Sequence, residues 1–235
     1  MSIAAAFSDF ISFLKQPRYA YKSDQPLDFS TATLMYVFLF FTIIFISSPL
    51  LYFVGVENMQ HSVDELMKNY PIWVFALLTV VGAPVMEELI FRWHLRRPVV
   101  LIWSIAIAIC GGLGFAYQSE KMMFWPFIIM IVFIIALAAL LSSSGQVQRF
   151  LSDLYRKYFS FIFYMTVLIF AFAHLSNFSK VDNWYITPIL VLPQALIALF
   201  LGYIRVRNNI FWSIYFHAFH NMIPTVLFLF MPEQM

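Results

Sequence analysis

Apolar positions along this chain do not alternate with polar ones at the period of a strand. They run continuously through seven stretches, at approximately 34–53, 71–95, 98–117, 122–141, 158–178, 184–204 and 209–231. Each is near the ~20 residues that an α-helix needs to cross a hydrocarbon core of ~30 Å. Only helices and closed barrels satisfy every backbone polar group in lipid, and a barrel is written in short alternating strands, so continuous runs predict helices. Ahead of the first run the pattern differs. Ile3, Phe7, Phe10, Ile11 and Leu14 recur at helical spacing before Lys15, Pro17 and Arg18, which predicts a short amphipathic helix lying on the membrane surface. The predicted fold is all-α, an integral membrane bundle of about seven transmembrane helices. It forms one domain over 1–235, with a cytoplasmic or interfacial segment 1–33 and the bundle at 34–231. No short apolar core with a small-residue cleavage site precedes residue 34, so no cleavable signal is expected.

Composition sharpens this into a membrane protein. Of the 235 residues, 62% are hydrophobic and only 11% charged, against the ~25% charged residues of a soluble domain. A net charge of +2 gives no case for a nucleic-acid partner; membrane lipids are the expected surroundings. The single Cys110 excludes an intramolecular disulfide and has no charged neighbour to activate its thiol. Lysine and arginine then set the orientation. Lys15, Arg18, Lys22, Arg96, Arg97, Arg149, Arg156, Lys157, Arg205 and Arg207 fall on one side of the predicted spans, and Lys68, Lys121 and Lys180 on the other, with Glu57, Asp64 and Glu65 in an outer connector. The positive-inside rule makes the N-terminus cytoplasmic and the C-terminus external. A bacterial inner membrane is the expected location.

A few polar residues interrupt the apolar runs. An ionisable group at membrane depth costs roughly 2.5 kcal/mol or more and normally faces a protein interior or a wet cavity. Pro84-Val85-Met86-Glu87-Glu88-Leu89-Ile90-Phe91-Arg92 places two carboxylates and an arginine near the end of the second run. Glu88 and Arg92 stand four apart and can pair on one helix face, whereas Glu87 points about 100° away. His174 lies near the end of the fifth run. His217 and Asn221, four apart, share a face of the seventh, with His220 beside them. A carboxylate, an imidazole and an imidazole–amide pair on three helices are the parts of a hydrolytic site: a base for water, a proton shuttle and donors for an oxyanion. Each residue alone also reads as an interhelical packing contact, and His61 and His94, near the interfaces, are expected to do no chemistry.

The order Glu87-Glu88-x-x-x-Arg92, Phe170-x-x-x-His174 and His217-x-x-x-Asn221 resembles the three motifs of the CAAX protease and bacteriocin-processing family of intramembrane endopeptidases. That group contains the type II CAAX prenyl endopeptidases and the Abi proteins. The stretch Leu201-Gly202-Tyr203-Ile204-Arg205 through Phe211-Trp212-Ser213-Ile214 also resembles the family's approach to its third motif, so the likeness covers roughly 71–97 and 158–225. The resemblance implies that Glu87 and His174 activate water, that His217 and Asn221 hold the oxyanion, and that Glu88 and Arg92 support them. The implied substrate is a membrane-associated or lipid-modified peptide. If a divalent metal such as zinc takes part, Glu87, His174 and His217 are its ligands, although no His-Glu-x-x-His is present.

The chain departs from that family's pattern in one respect: two further apolar runs separate Glu87 from His174. Two is an even number, so the helices remain antiparallel. Counted at 1.5 Å per residue, however, His174 lies roughly 25 Å from Lys157 and Glu87 about 14 Å from Arg96. Tilt, or a fifth helix that starts nearer Phe150, is needed to bring them level. Other readings are a non-catalytic immunity or scaffold protein that binds a peptide or lipid, and a haem or quinone protein using His174 with His217 or His220. Rhomboid-like and presenilin-like sites fit worse, because Ser142-Ser143-Ser144-Gly145 lacks the first glycine of Gly-x-Ser-Gly and lies in a connector, and no run holds a pair of aspartates.

Overall fold

The computed structural model describes residues 2–22, 24–55, 70–120, 124–178 and 184–230. The connector carrying Glu57, His61, Asp64, Glu65 and Lys68 lies outside the described residues, as do Lys121, Lys180 and Met231. The fold is all-α, as predicted, with no strand among the described residues. In chain order the helices are α1 (Ile3–Lys15), α2 (Phe29–Phe53), α3 (Ile72–Leu77), α4 (Ala83–Phe91), α5 (Val100–Glu120), α6 (Phe124–Ser143), α7 (Gly145–Ala173), α8 (Thr187–Leu190), α9 (Leu192–Arg207) and α10 (Ile210–Phe230).

The seven apolar runs are not seven uniform spans. Among the described residues, four helical stretches are long and apolar enough to cross a membrane: Phe29–Phe53, Ile72–Phe91, Phe124–Ser143 and Gly145–Asn177. A fifth arises if Trp184–Leu190 and Leu192–Arg207, which meet at a 42° bend, form one broken span. Prolines account for the break. Pro188 and Pro193 sit in the first turns of α8 and α9, where a missing N–H is tolerated, so each starts a helix instead of continuing one.

The second span changes its winding partway. A π turn, Leu78–Gly82, joins α3 to α4. Pro84 has no N–H to give the Val80 carbonyl, and a wider turn accommodates that lost bond. α4 stops at Arg92, whose φ of −126° and ψ of −14° leave the helical region, and a 3₁₀ turn, Trp93–Arg96, follows. The carbonyls exposed by this ending do not go unsatisfied. Arg205 of α9 donates from Nε to the Arg92 carbonyl at 3.0 Å and from Nη2 to that of Trp93 at 2.7 Å. This places a cation at the negative end of the helix dipole.

α7 starts at Gly145, with Ser144 as its N-cap, well before the predicted 158, and it bends at Tyr158. The longer helix meets the requirement for a start nearer Phe150 than Tyr158. α1 also differs from its prediction. It is a helix, but Ala6, Phe10 and Phe13 are buried in the protein core, and Phe13 meets Phe163 of α7 and Tyr203 of α9 edge-on or tilted. Its apolar face packs against the bundle instead of lipid. Buried Asp9 fixes the docking: it pairs with Lys22 and Arg207 and accepts from the hydroxyls of Tyr203 at 2.7 Å and Tyr21 at 2.9 Å. Burial alone would raise the Asp9 pKa. The hydrogen bonds from Lys22, Tyr203 and Tyr21 and the charge of Arg207 outweigh it and hold the carboxyl below its ordinary value.

α9 runs through the middle, with every residue of Phe200–Val206 buried. It packs on α7, α10, α2 and α1. Gly202 lets α7 approach: a Cβ there would stand 2.7 Å from Cε2 of Phe163. Phe163 is fully buried against Phe13 and cannot retreat. Gly202→Ala should therefore destabilise the protein by roughly 1–3 kcal/mol through overpacking, read as a lowered thermal midpoint in detergent; an unchanged midpoint would mean the two helices slide apart freely.

Candidate active site

The structure brings Glu87, His174, His217 and Asn221 to the wall of one cavity of about 480 Å³. Glu87 comes from α4, His174 from a 3₁₀ turn (His174–Asn177) that ends α7, and His217 and Asn221 from α10. Nε2 of His174 lies 3.7 Å from Glu87 Oε2, and Nε2 of His217 lies 3.6 Å from the same oxygen. The depth mismatch counted from the sequence is thus resolved by the fold. The side chains of Glu87 and His174 keep 26% and 20% of their surface exposed, against 4% for His217, so an incoming molecule reaches the first two.

The far side of each imidazole fixes its near side. His174 Nδ1 is 2.8 Å from the carbonyl oxygen of Phe170. A carbonyl only accepts, so Nδ1 carries the proton, and in the neutral ring Nε2 presents a lone pair to Glu87. His217 Nδ1 is 2.8 Å from Oε1 of Glu88, which sets the same tautomer and turns its Nε2 lone pair to Glu87 as well. Glu87 Oε2 itself has no hydrogen-bond partner within the protein. Three acceptors therefore converge, at separations longer than a direct hydrogen bond and suited to a shared water.

Glu88 has a different environment. It is fully buried, accepts from Arg92, His217 and Ser213, and has no face on the cavity. The predicted Glu88–Arg92 pairing is present, with Arg92 also 4.0 Å over the ring of Phe170. The carboxylate therefore links α4 to α10 and holds the His217 ring in place. Asn221 is partly committed too: its Nδ2 donates to the carbonyl of Thr79, in the π turn, at 3.0 Å. One N–H of the amide remains for another acceptor.

Ser213 and Gln194 were given no catalytic role from the sequence, and His220 only one in the haem or quinone reading. Ser213 binds Glu88, His220 lines the cavity with Nδ1 3.2 Å from the hydroxyl of Tyr36, and Gln194 lines it with a buried Oε1 that has no partner. Ser213 and Thr225 extend the four-residue spacing of His217 and Asn221 along α10, a signal present in the sequence. Gln194 carried none beyond being polar in an apolar run. His94 is buried, with Nδ1 2.6 Å from the hydroxyl of Tyr155, and takes no part in the cavity. As for a metal, no three His, Cys, Asp or Glu groups among the described residues converge closely enough to hold an ion. Glu87, His174 and His217 as they stand do not form a ligand set.

A family model described as type II CAAX prenyl endopeptidase Rce1-like matches residues 69–223. No curated protein and no solved structure matches the chain. The matched segment holds Glu87, His174, His217, His220 and Asn221 of the cavity wall, ends before Thr225, and leaves α1 and α2 outside it.

Arg92→Ala would strand the Glu88 carboxylate in a site from which water is excluded. Breaking a buried pair in this way costs about 3–5 kcal/mol, so the thermal midpoint in detergent should fall sharply, and more than for Glu87→Gln, which leaves the pair intact. Equal midpoints for the two variants would show that the Glu88–Arg92 pair does not support the fold.

Proposed function

We propose that this chain, which belongs to the Rce1-like family of type II CAAX prenyl endopeptidases, cleaves a peptide bond of a membrane-associated or lipid-modified peptide with a water activated by Glu87 and His174. The family supplies intramembrane endopeptidase activity as the class of reaction. The observation that carries the assignment of residues is the convergence of the Nε2 atoms of His174 and His217 on a Glu87 oxygen that no hydrogen bond within the protein fills.

In this reading a water sits against Glu87 Oε2 and His174 Nε2. As its oxygen attacks the carbonyl carbon, Glu87 takes the proton, and the positive edge needed for the forming oxyanion comes from the other wall. Asn221 offers its remaining N–H. His217 offers Nε2–H in its imidazolium form, which takes its extra proton from solvent before the substrate binds and keeps it through the reaction, with Glu88 as counter-ion on the Nδ1 side. The tetrahedral intermediate then collapses, and the proton taken from water passes by way of Glu87 and His174 to the leaving amine nitrogen. Glu88 and Arg92 take no proton; they hold His217 and the end of α4.

Glu87→Gln is nearly isosteric and removes the base while keeping the fold, so cleavage of a prenylated peptide should fall by at least about 10² with little change in thermal midpoint. Full activity in this variant would remove Glu87 from the mechanism. A chelator arm separates a protein-only site from one that recruits zinc: activity that survives exhaustive chelation supports water activation by Glu87 and His174 alone.

The orientation proposed with this function places the N-terminus and the basic end of the bundle in the cytoplasm, in a bacterial inner membrane. Reporter fusions at Lys22 and Arg149 should both read cytoplasmic; opposite readings at the two sites would contradict it.

A further inference from the structure

A second cavity, of about 500 Å³, lies away from the peptidase site. On one side it is lined by the turn after α1, with Arg18 and Tyr19, and on the other by α7, with Arg156, Lys157 and Phe159. We propose that it binds the phosphate group of an anionic phospholipid. Its wall carries three cations and no carboxylate, and among the described residues no acidic side chain is paired with Arg18, Arg156 or Lys157. Asp153, one helical turn before Lys157, is exposed and makes no ion pair with it. Three other basic groups of this end are engaged elsewhere: Lys22 and Arg207 on Asp9, and Arg96 on the carbonyl of Asn208.

All three cations are exposed, and Arg18 also donates to the side-chain oxygen of Gln16 on the same wall. The turn that carries Arg18 is fixed from several directions. Ser160 donates to the carbonyl of Pro17 at 2.7 Å, Tyr164 to that of Leu14, and Tyr19 to that of Arg96 at 3.1 Å. Ala20 and Lys22 hold φ of 55° and 42°, a left-handed conformation that side chains other than glycine rarely adopt. A turn held in that shape sets Arg18 opposite Arg156 and Lys157, and like charges facing one cavity repel until an anion lies between them. The planar donor fork of arginine matches phosphate oxygens.

The depth of the cavity indicates the source of the phosphate. α7 bends at Tyr158, between Lys157 and Phe159. Before the bend the helix is polar, with Arg149, Ser152, Asp153, Arg156 and Lys157; after it the helix is apolar. The change marks the level where headgroups meet acyl chains. Phe161, one turn further into the apolar half, is 67% exposed and stands where an acyl chain would lie. Basic pockets between helices on the positively charged side of a membrane protein bind anionic headgroups in this way.

The test is native mass spectrometry of the full chain released from mixed detergent micelles containing phosphatidylglycerol and phosphatidylcholine. The wild type should retain phosphatidylglycerol in preference. Arg18→Gln, Arg156→Gln and Lys157→Gln should each lower that preference by about fivefold. Arg149→Gln, on the same helix but outside the cavity, should leave it unchanged. Thermal midpoints without lipid confirm that each variant is folded, and the single variants stand if a triple one is not. A wild type without preference, or an Arg149→Gln loss equal to that of the cavity variants, would overturn the site in favour of diffuse surface charge. Inorganic phosphate that stabilises the lipid-free protein and displaces phosphatidylglycerol would overturn the lipid source and assign the cavity to a free phosphate.

Discussion

The carboxylate of Glu88 is the point on which the interior depends. It accepts from Arg92 on its own span and from Ser213 and His217 on α10, and no part of it meets solvent. A charge so placed is tolerated only when its lone pairs are filled, so three side chains from two segments are held to fixed positions by one group. Arg92 is drawn in turn across the face of Phe170, the residue whose carbonyl orients His174. The two imidazoles that face Glu87 are thus positioned from one buried anion, directly for His217 and through Arg92 and Phe170 for the end of α7. Glu87, adjacent in sequence, is left free to face the cavity because it points to another side of the helix.

How much of this was legible in the sequence follows from the range of each interaction. The Glu88–Arg92 pair was readable, because residues four apart meet on any α-helix. The grouping of His217 with Asn221 was readable for the same reason. The bond from His217 to Glu88 was not, since it joins residues 129 apart and depends on how α4 and α10 cross. The apolar runs located the helices but not their interruptions. Hydropathy does not register that Pro188 and Pro193 start new helices, or that α7 reaches back to Gly145 through a polar, amphipathic segment. The distance counted from Lys157 to His174 misled because it assumed that the fifth span began where apolarity began. α1 was read correctly as amphipathic and incorrectly as lying on lipid: an apolar stripe says that something covers it, and Asp9, inside that stripe, was the sign that the cover is protein.

The basic residues at one end of the bundle perform three separate tasks. Arg205 closes the end of α4, Arg207 and Lys22 neutralise Asp9 and so dock α1, and Arg18 shares a cavity with Arg156 and Lys157. All three link segments distant in the chain. A charge bias that serves as a signal for membrane insertion is therefore also part of the tertiary structure, and the segment outside the matched family region is joined to that region through it.

The π turn in the second span bears on the alignment of the cavity wall. Phe75, Thr79, Ala83, Glu87 and Phe91 all line the cavity, and each is four residues from the next. On an uninterrupted α-helix every step of four oversteps a full revolution by about 40°, so four steps would swing the last residue about 160° round the axis from the first. A turn that takes up more residues per revolution absorbs part of that drift. The five residues thereby line one cavity along about 24 Å of helix, with Glu87 three-quarters of the way along, and a single deletion within 78–82 would twist that seam out of line.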